Sequence, residues 1–147
     1  MTPGANQRRV DRLFDHYGES HRNTANKEIH SICVPLVPWS VLAVLWAWSA
    51  VAAYAGIALA FAFYAWLSPS LAFGMLAVLA VMVYPLTLLQ TNVLVVAAGV
   101  FVLAWIGQFI GHMIEGRKPS FFEDVKFLLV GPAWLLGSIY RRAGIPY

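Results

Sequence analysis

The fold is decided by residues 31–111, SICVPLVPWSVLAVLWAWSAVAAYAGIALAFAFYAWLSPSLAFGMLAVLAVMVYPLTLLQTNVLVVAAGVFVLAWIGQFIG, which contain no Asp, Glu, Lys or Arg. A charge at the centre of a bilayer costs about 2.5–3.5 kcal/mol on insertion scales. A soluble domain, in contrast, needs charged side chains on its surface and does not leave so long a stretch bare. The stretch is therefore typical of a membrane domain.

The composition of the whole chain points the same way. It is 60% hydrophobic and 12% charged, against about 45–50% and about 25% in soluble domains. This composition excludes a disordered chain, and a single cysteine, Cys33, excludes a disulfide scaffold. The net charge is only +3 and no long run of Lys or Arg occurs, so we expect no nucleic-acid partner. The first thirty residues are polar and lack the apolar segment of a cleavable signal peptide.

The apolar stretch has room for about four spanning helices, each of about 17–25 residues. Clusters of Gly, Pro and Ser predict helices at residues 35–53, 54–67, 71–89 and 93–114. The second is short, so we expect it to stay within one leaflet or to tilt against the first. The alternative is two hairpins that do not fully cross. The predicted fold is all-α, an integral membrane helical bundle with interfacial helices at both ends of the chain.

We expect one membrane domain over residues 1–147, divided into a polar segment (1–30), the transmembrane bundle (35–114) and interfacial or re-entrant helices (115–147). In the polar segment, an amphipathic stripe predicts a helix that ends at Gly18, and Ser20 is the expected cap of a second helix that runs to about His30. In the last segment we expect a break at Gly131-Pro132.

The charges at the two ends predict the orientation. Residues 1–30 have five Lys/Arg against four Asp/Glu, and residues 112–147 have five against three. Four crossings would place both ends on one side, and the slight positive excess predicts that this side is the cytoplasm. The expected location is a bacterial inner membrane or the endoplasmic reticulum.

The histidines are the candidate functional residues: His16, His21, His30 and His112. They flank the apolar stretch, so they would lie in one layer at the membrane boundary if both ends share a side. Buried imidazoles need hydrogen-bond partners or a metal ion, and imidazole is the commonest metal ligand. A nitrogen-rich set suits Fe(II), Zn or Cu better than Mg or Ca. The alternative is that these residues are only hydrogen-bonded boundary histidines.

Two polar stripes support the prediction of a site. Each has the spacing of one helix face, and each combines an imidazole with amide or carboxylate groups that can orient it. The first stripe consists of Asn23, Asn26 and His30, and the second of Trp105, Gln108, His112 and Glu115. His21 can join them only from the start of its helix or from a neighbouring turn.

Both stripes fall in segments that resemble a known family. Residues 20–35, SHRNTANKEIHSICVP, resemble the signature H-x-N-x-x-N-x-x-x-H followed by Pro of the 2-hydroxy fatty acid dioxygenase family. This family is named for the metabolism of phytosphingosine to odd-numbered fatty acids. Residues 105–119, WIGQFIGHMIEGRKP, resemble its second signature, Q-F-x-G-H followed by Glu and by a basic pair before Pro. Gly131-Pro132 matches a downstream landmark.

The resemblance implies a small membrane-integral dioxygenase that depends on Fe(II). Such an enzyme uses molecular oxygen to shorten 2-hydroxy fatty acids by one carbon, as α-oxidation without 2-oxoglutarate. On this chain it implies His21, His30 and His112 as metal ligands, with His16 as either a fourth ligand or a bystander. The motif positions with implied catalytic or supporting roles are Asn23, Asn26, Gln108 and Glu115.

The substrate would be a 2-hydroxy fatty acid, with its acyl chain among membrane lipids. Four cations near the histidines could attract its carboxylate: Arg22, Lys27, Arg117 and Lys118. Each of these cations could equally be one of the positively charged residues that commonly flank a membrane helix. Three other functions stay open on the residues alone: a haem electron carrier with two axial histidines, a non-catalytic scaffold or transporter, and a zinc hydrolase that acts on lipids.

Overall fold

The computed structural model describes residues 8–89, 92–118 and 121–147, and within them the chain is helical without a strand. The helices are α1 (Arg9–Gly18), α2 (Thr24–Trp48), α3 (Ala50–Leu67), α4 (Pro69–Leu88), α5 (Val93–Glu115), α6 (Phe121–Lys126) and α7 (Val130–Ala143). Four of them, α2 to α5, are long and apolar enough to cross a membrane. The all-α fold with four candidate spans is therefore confirmed, and the apolar helices indicate a membrane protein.

The first predicted span is wrong at both boundaries. The second N-terminal helix and the first span are one continuous helix, α2, which begins at Thr24 and continues through Pro35 and Pro38. The cap is Asn23 and not Ser20, because the Asn23 Oδ1 atom accepts a hydrogen bond from the Ala25 backbone N–H at 2.9 Å. The polar residues 24–30 are therefore continuous with the apolar part of α2.

The second predicted span is also wrong in its length. The break between α2 and α3 lies at Ser49 and not after residue 53, because the extended backbone of Ser49 interrupts the helix and its side chain caps α3. The 18 residues of α3 extend over about 27 Å, which is close to the thickness of a bilayer core. Between the third and fourth predicted helices, Gln90 and Thr91 lie outside the described residues.

The bundle is built from sequential pairs and one long-range pair. Helix α3 packs against α2 and α4, and α5 returns to pack along α2. Helix α7 packs against α1, α2 and α4, and the Tyr64 hydroxyl of α3 donates to the Leu129 carbonyl just before it, at 2.9 Å. Gly131 and Pro132 lie in the first turn of α7, so the predicted break there is wrong. Pro85 lies inside α4, one turn before its end.

The first described residues and the C-terminal residues meet at one end of the bundle. Phe14 of α1 is buried and its ring centroid lies 5.9 Å from that of Tyr147. The Arg8 guanidinium donates to the Tyr147 carbonyl, and Ser70 Oγ at the start of α4 donates to the Pro146 carbonyl at 2.9 Å. We call this end of the bundle, which also carries the N-terminus of α2 and the C-terminus of α5, the polar end.

Candidate functional site

Three of the four histidines converge at the polar end. His21 precedes α2, His30 lies in the second turn of α2, and His112 lies in the last turn of α5. The ring centroids are 4.5 Å apart for His21 and His30, 5.1 Å for His30 and His112, and 6.3 Å for His21 and His112. All three residues are buried, with 2–7% of their surface exposed. We call these three residues the histidine cluster.

Glycine on α5 allows the cluster to form. A Cβ atom at Gly111 would lie 2.4 Å from the Asn26 Oδ1 atom and 2.5 Å from the His30 Cε1 atom. One turn earlier, a Cβ atom at Gly107 would lie 2.4 Å from the Cys33 Sγ atom. Because real Cβ atoms do not approach so closely, α5 can lie against α2 here only without side chains at these two positions.

Each cluster histidine is oriented through one ring nitrogen. His21 Nδ1 lies 2.8 Å from the Tyr17 carbonyl oxygen, and His30 Nδ1 lies 3.1 Å from the Asn26 carbonyl oxygen. A carbonyl oxygen only accepts, so these nitrogens donate and the other nitrogen of each neutral ring carries a lone pair. Burial lowers the pKa of His21, which keeps this ring neutral at pH 7.

The third ring is oriented by a carboxylate. His112 Nε2 lies 3.1 Å from Asp124 Oδ1, which again leaves one ring nitrogen facing away from the acceptor. We call the ring nitrogens that face away from these acceptors the outward nitrogens. They are His21 Nε2, His30 Nε2 and His112 Nδ1, all buried and without a hydrogen-bond partner among the described residues. A buried imidazole nitrogen without a partner is costly unless it binds a ligand. The arrangement resembles ligand histidines whose second nitrogen donates to an outer acceptor.

Aromatic rings close the cluster on the side of α1 and α7. The Tyr17 ring stacks on the His21 ring with centroids 4.3 Å apart, and the Trp134 centroid lies 5.8 Å from that of His21. Burial raises the pKa of Tyr17, so its hydroxyl stays protonated at neutral pH. These rings exclude water from the outer face of His21.

Glu115 joins the end of α5 to the start of α2. Its carboxylate accepts hydrogen bonds from the backbone N–H of Arg22 at 3.0 Å, from that of Asn23 at 2.9 Å, and from the Asn26 side-chain amide at 2.9 Å. A carboxylate at a helix N-terminus is also favoured by the helix dipole. Glu115, Asn23 and Asn26 thus hold the segment that carries His21. Gln108 is buried one turn before His112.

The structure does not bring His16 to the cluster. Its side chain is 66% exposed and its ring lies against Phe127, with centroids 5.3 Å apart. The four predicted cations are exposed, and Arg117 donates to Ser20 Oγ at 3.0 Å. Only Lys27 of the four lines a described cavity, one formed with α4 and α7.

Sequence reasoning missed Asp124, Tyr17 and Trp134. Asp124 comes from α6, a separate short helix, so no helical spacing connects it to the stripe on α5. Tyr17 lies in the amphipathic stripe that predicted α1, and nothing in that pattern indicated a role in a site. The signal that could have identified Tyr17 is its spacing of four residues before His21, the same spacing that separates Asn26 from His30.

The histidine cluster has the donors of a metal site but not its closed geometry. Within residues 8–89, 92–118 and 121–147, no group of three His, Cys, Asp or Glu side chains stands in a geometry that could hold one. The chemistry of the donors does fit an ion that prefers nitrogen, because three buried imidazoles each present a nitrogen without a partner.

Comparison with known proteins identifies the family. A family model described as "2-hydroxy-palmitic acid dioxygenase Mpo1-like" matches residues 7–143. The chain therefore belongs to the Mpo1-like family, and the resemblance drawn from the two signatures is confirmed. No curated protein and no solved structure matches the chain.

Proposed function

We propose that this protein is an Fe(II)-dependent dioxygenase that shortens 2-hydroxy fatty acids by one carbon at the membrane surface. The family name suggests the dioxygenase activity and the substrate class. The observation that carries the proposal is the histidine cluster, with three oriented imidazoles whose outward nitrogens are buried and have no partner among the described residues.

In this proposal His21, His30 and His112 hold the ion, and bound Fe(II) supplies the chemistry that activates oxygen. The protein's own groups hold the orientation of the three imidazoles. Two backbone carbonyls and Asp124 accept hydrogen bonds from His21 Nδ1, His30 Nδ1 and His112 Nε2. The Tyr17 ring, which stacks on His21, keeps water away from that ring. Glu115, Asn23 and Asn26 keep His21 beside α2. Gln108 is buried one turn before His112 on α5.

The overall reaction balances with oxygen as the only oxidant. A 2-hydroxy acid and one O2 give the acid with one carbon fewer, carbon dioxide and water. The C1–C2 bond breaks, C2 is oxidised to the new carboxyl carbon, and O2 is reduced. The polar end suits this substrate, because its head must reach polar residues while its acyl chain stays in the membrane.

The orientation in the membrane forms part of the proposal. Helix α1 and the C-terminal residues lie at the polar end, and the charges of the chain are confined to the two terminal segments. We propose that the polar end faces the cytoplasm, in a bacterial inner membrane or the endoplasmic reticulum. Exposed cations there, Arg22, Lys27, Arg117 and Lys118, would attract the carboxylate of the substrate.

Metal analysis of the detergent-purified protein, together with oxygen uptake on 2-hydroxypalmitate, tests the proposal. We expect bound iron and turnover that needs both Fe(II) and O2. His30→Ala and His112→Ala should lose iron and activity, whereas His16→Ala should keep both, since its ring lies outside the cluster. Circular dichroism and gel filtration would show whether the variants remain folded.

Three results would contradict the proposal. A haem spectrum would support an electron carrier, and metal-independent or zinc-dependent activity without oxygen would support a hydrolase. A folded protein that binds no iron and consumes no oxygen on this substrate would support a scaffold or transporter.

A further inference from the structure

We propose that a groove between α2, α4 and α7 binds the fatty-acid substrate, with the carboxylate at a cationic mouth and the acyl chain along apolar walls. This inference rests on the proposed function and assigns it a substrate site. We call the cavity the α7 groove. It measures about 590 Å³, within the range of about 300–1,000 Å³ that is usual for small-molecule sites.

The groove follows the axis of α2. Lys27, Ser31 and Pro35 line it and are spaced four residues apart, so they share one face of the helix over about 12 Å. Val78 of α4 lines it near the middle of that helix. The groove therefore runs from the polar end towards the apolar middle of the bundle.

Helix α7 runs in the opposite direction along the other wall. Near its start, a Cβ atom at Gly131 would lie 2.5 Å from the Val34 side chain, which places this end deep beside α2. Near its end, the Tyr140 hydroxyl donates to the Ser70 carbonyl at the polar end, at 3.2 Å. The cations Arg141 and Arg142 therefore lie at the same end of the groove as Lys27, and Pro132 lies at the deep end with Pro35.

The groove has the polarity of a fatty acid. Its mouth carries Lys27, Arg141 and Arg142, and its described lining includes no carboxylate. The walls between the mouth and the deep end include Leu135 and Ile139. Arginine pairs well with carboxylates, and Arg141 is already positioned by a hydrogen bond of 3.1 Å to Ser138 Oγ.

A second cavity nearby offers no net positive charge to an anion. It measures about 630 Å³ and lies between α1 and the C-terminal residues. Asp11 and Asp15 line it together with Arg8 and Arg141, so its carboxylates oppose the binding of another carboxylate. Between these two cavities, charge selects the α7 groove.

The groove and the histidine cluster lie side by side. Lys27 and Ser31 directly follow Asn26 and His30, and one residue corresponds to a rotation of about 100° and a rise of about 1.5 Å. The two sites thus occupy neighbouring faces of α2 at the same height. Trp134 belongs to both, because it lines the groove and contacts the His21 ring. A head group bound at the mouth is therefore at the level of the histidines.

Photo-crosslinking tests the groove without relying on turnover. The full-length protein in lipid nanodiscs is exposed to 2-hydroxypalmitate with a diazirine in its acyl chain, and the labelled residues are mapped by mass spectrometry. We expect labelling at residues 135–139 and 31–35, suppressed by excess 2-hydroxypalmitate. Labelling elsewhere, or suppression by phosphatidylglycerol but not by 2-hydroxypalmitate, would overturn the proposal; the second result would indicate a phospholipid site.

Kinetics of a charge variant provide the second test. Lys27→Ala/Arg142→Ala should raise KM about tenfold, with kcat within about twofold and unchanged iron content, because both side chains bind the carboxylate without orienting an imidazole. Arg12→Ala is the matched control, since it removes an exposed cation of α1 that is not among the described lining residues. An unchanged KM in the double variant would overturn the cationic mouth as the site of the carboxylate.

The two proposals can fail separately. Labelling of the groove in a protein without iron or oxygen uptake would leave a fatty-acid site and reject the dioxygenase. Iron-dependent turnover without labelling of the groove would leave the dioxygenase and reject the groove as its substrate site.

Discussion

At the scale of single residues, the site depends on which ring nitrogen of each histidine donates a hydrogen bond and which one has no partner among the described residues. His21 and His30 use the same device, a carbonyl four residues earlier that accepts from Nδ1. His112 instead uses the Asp124 carboxylate, which accepts from Nε2. The cluster therefore combines two locally oriented rings with one ring oriented by a distant helix. This difference makes His112 the ring whose orientation one substitution can test.

Asp124→Asn tests that orientation. The amide is neutral and a weaker acceptor for His112 Nε2, so we expect iron affinity or activity to fall about 10–100-fold, as is typical for partners of ligand histidines. Iron content per chain and oxygen uptake are the measurements. Glu123→Gln, which neutralises the exposed neighbouring carboxylate, is the control and should keep both. Equal losses in the two variants would contradict a specific role of Asp124.

At the scale of helices, the close approach of α2 and α5 builds the site. Gly107 and Gly111 let the two helices pack without intervening side chains, and Glu115 joins the end of one helix to the start of the other. Residues that are far apart in the chain thereby share one layer. The packing of this pair is thus part of the site as much as its histidines are.

Gly111→Ala tests the packing. The added methyl group would overlap Asn26 and His30, so the helices must separate, at a cost of about 1–3 kcal/mol. We expect a lower thermal transition in detergent and reduced iron content. Gly99→Ala is the control on the same helix, because no heavy atom lies within 4 Å of its added Cβ, and it should be neutral or slightly stabilising. A Gly111→Ala protein with unchanged stability would contradict the close approach.

At the scale of the whole molecule, the four candidate spans bring α1 and the C-terminal residues to the polar end. Arg8 and Phe14 contact Tyr147, and the turn before α4 contacts the C-terminal residues through Ser70. The turn at Ser49 lies at the opposite end, since α2 and α3 run antiparallel. The molecule therefore has one polar end with the candidate site and one end formed by short turns.

Cysteine labelling tests this arrangement in cells. In a Cys33→Ser background, Arg12→Cys and Ile145→Cys should react with a membrane-impermeant maleimide only after the cytoplasmic face is opened, whereas Trp48→Cys should react from outside. All three side chains are exposed. Labelling of Arg12→Cys in intact cells would contradict the proposed orientation. Labelling of Arg12→Cys and Trp48→Cys from one face would contradict the crossing of α2.

Helix boundaries show where prediction from the sequence was limited. Hydropathy identified the apolar stretch but not its exact division, because Ser49 is one polar residue among apolar ones and ends α2 through its backbone conformation. Similarly, the sequence predicted a separate polar helix from Ser20 to about His30. The structure makes Thr24 to His30 the first turns of α2. Glu115 of α5 accepts from the Asn26 side chain there, a contact that spacing along the chain does not reveal.

The sequence by itself determined the fold class, the four candidate spans and the family, because exclusion of charge from an apolar stretch and the spacing of the two motifs are properties of the chain. It also predicted that His21, His30 and His112 come together, and it left open whether His16 joins them. Only the tertiary structure placed His16 outside the cluster, and only it added Asp124, Tyr17 and Trp134. These residues come from helices that pack around the cluster, and such contacts depend on how the helices pack and not on spacing along the chain.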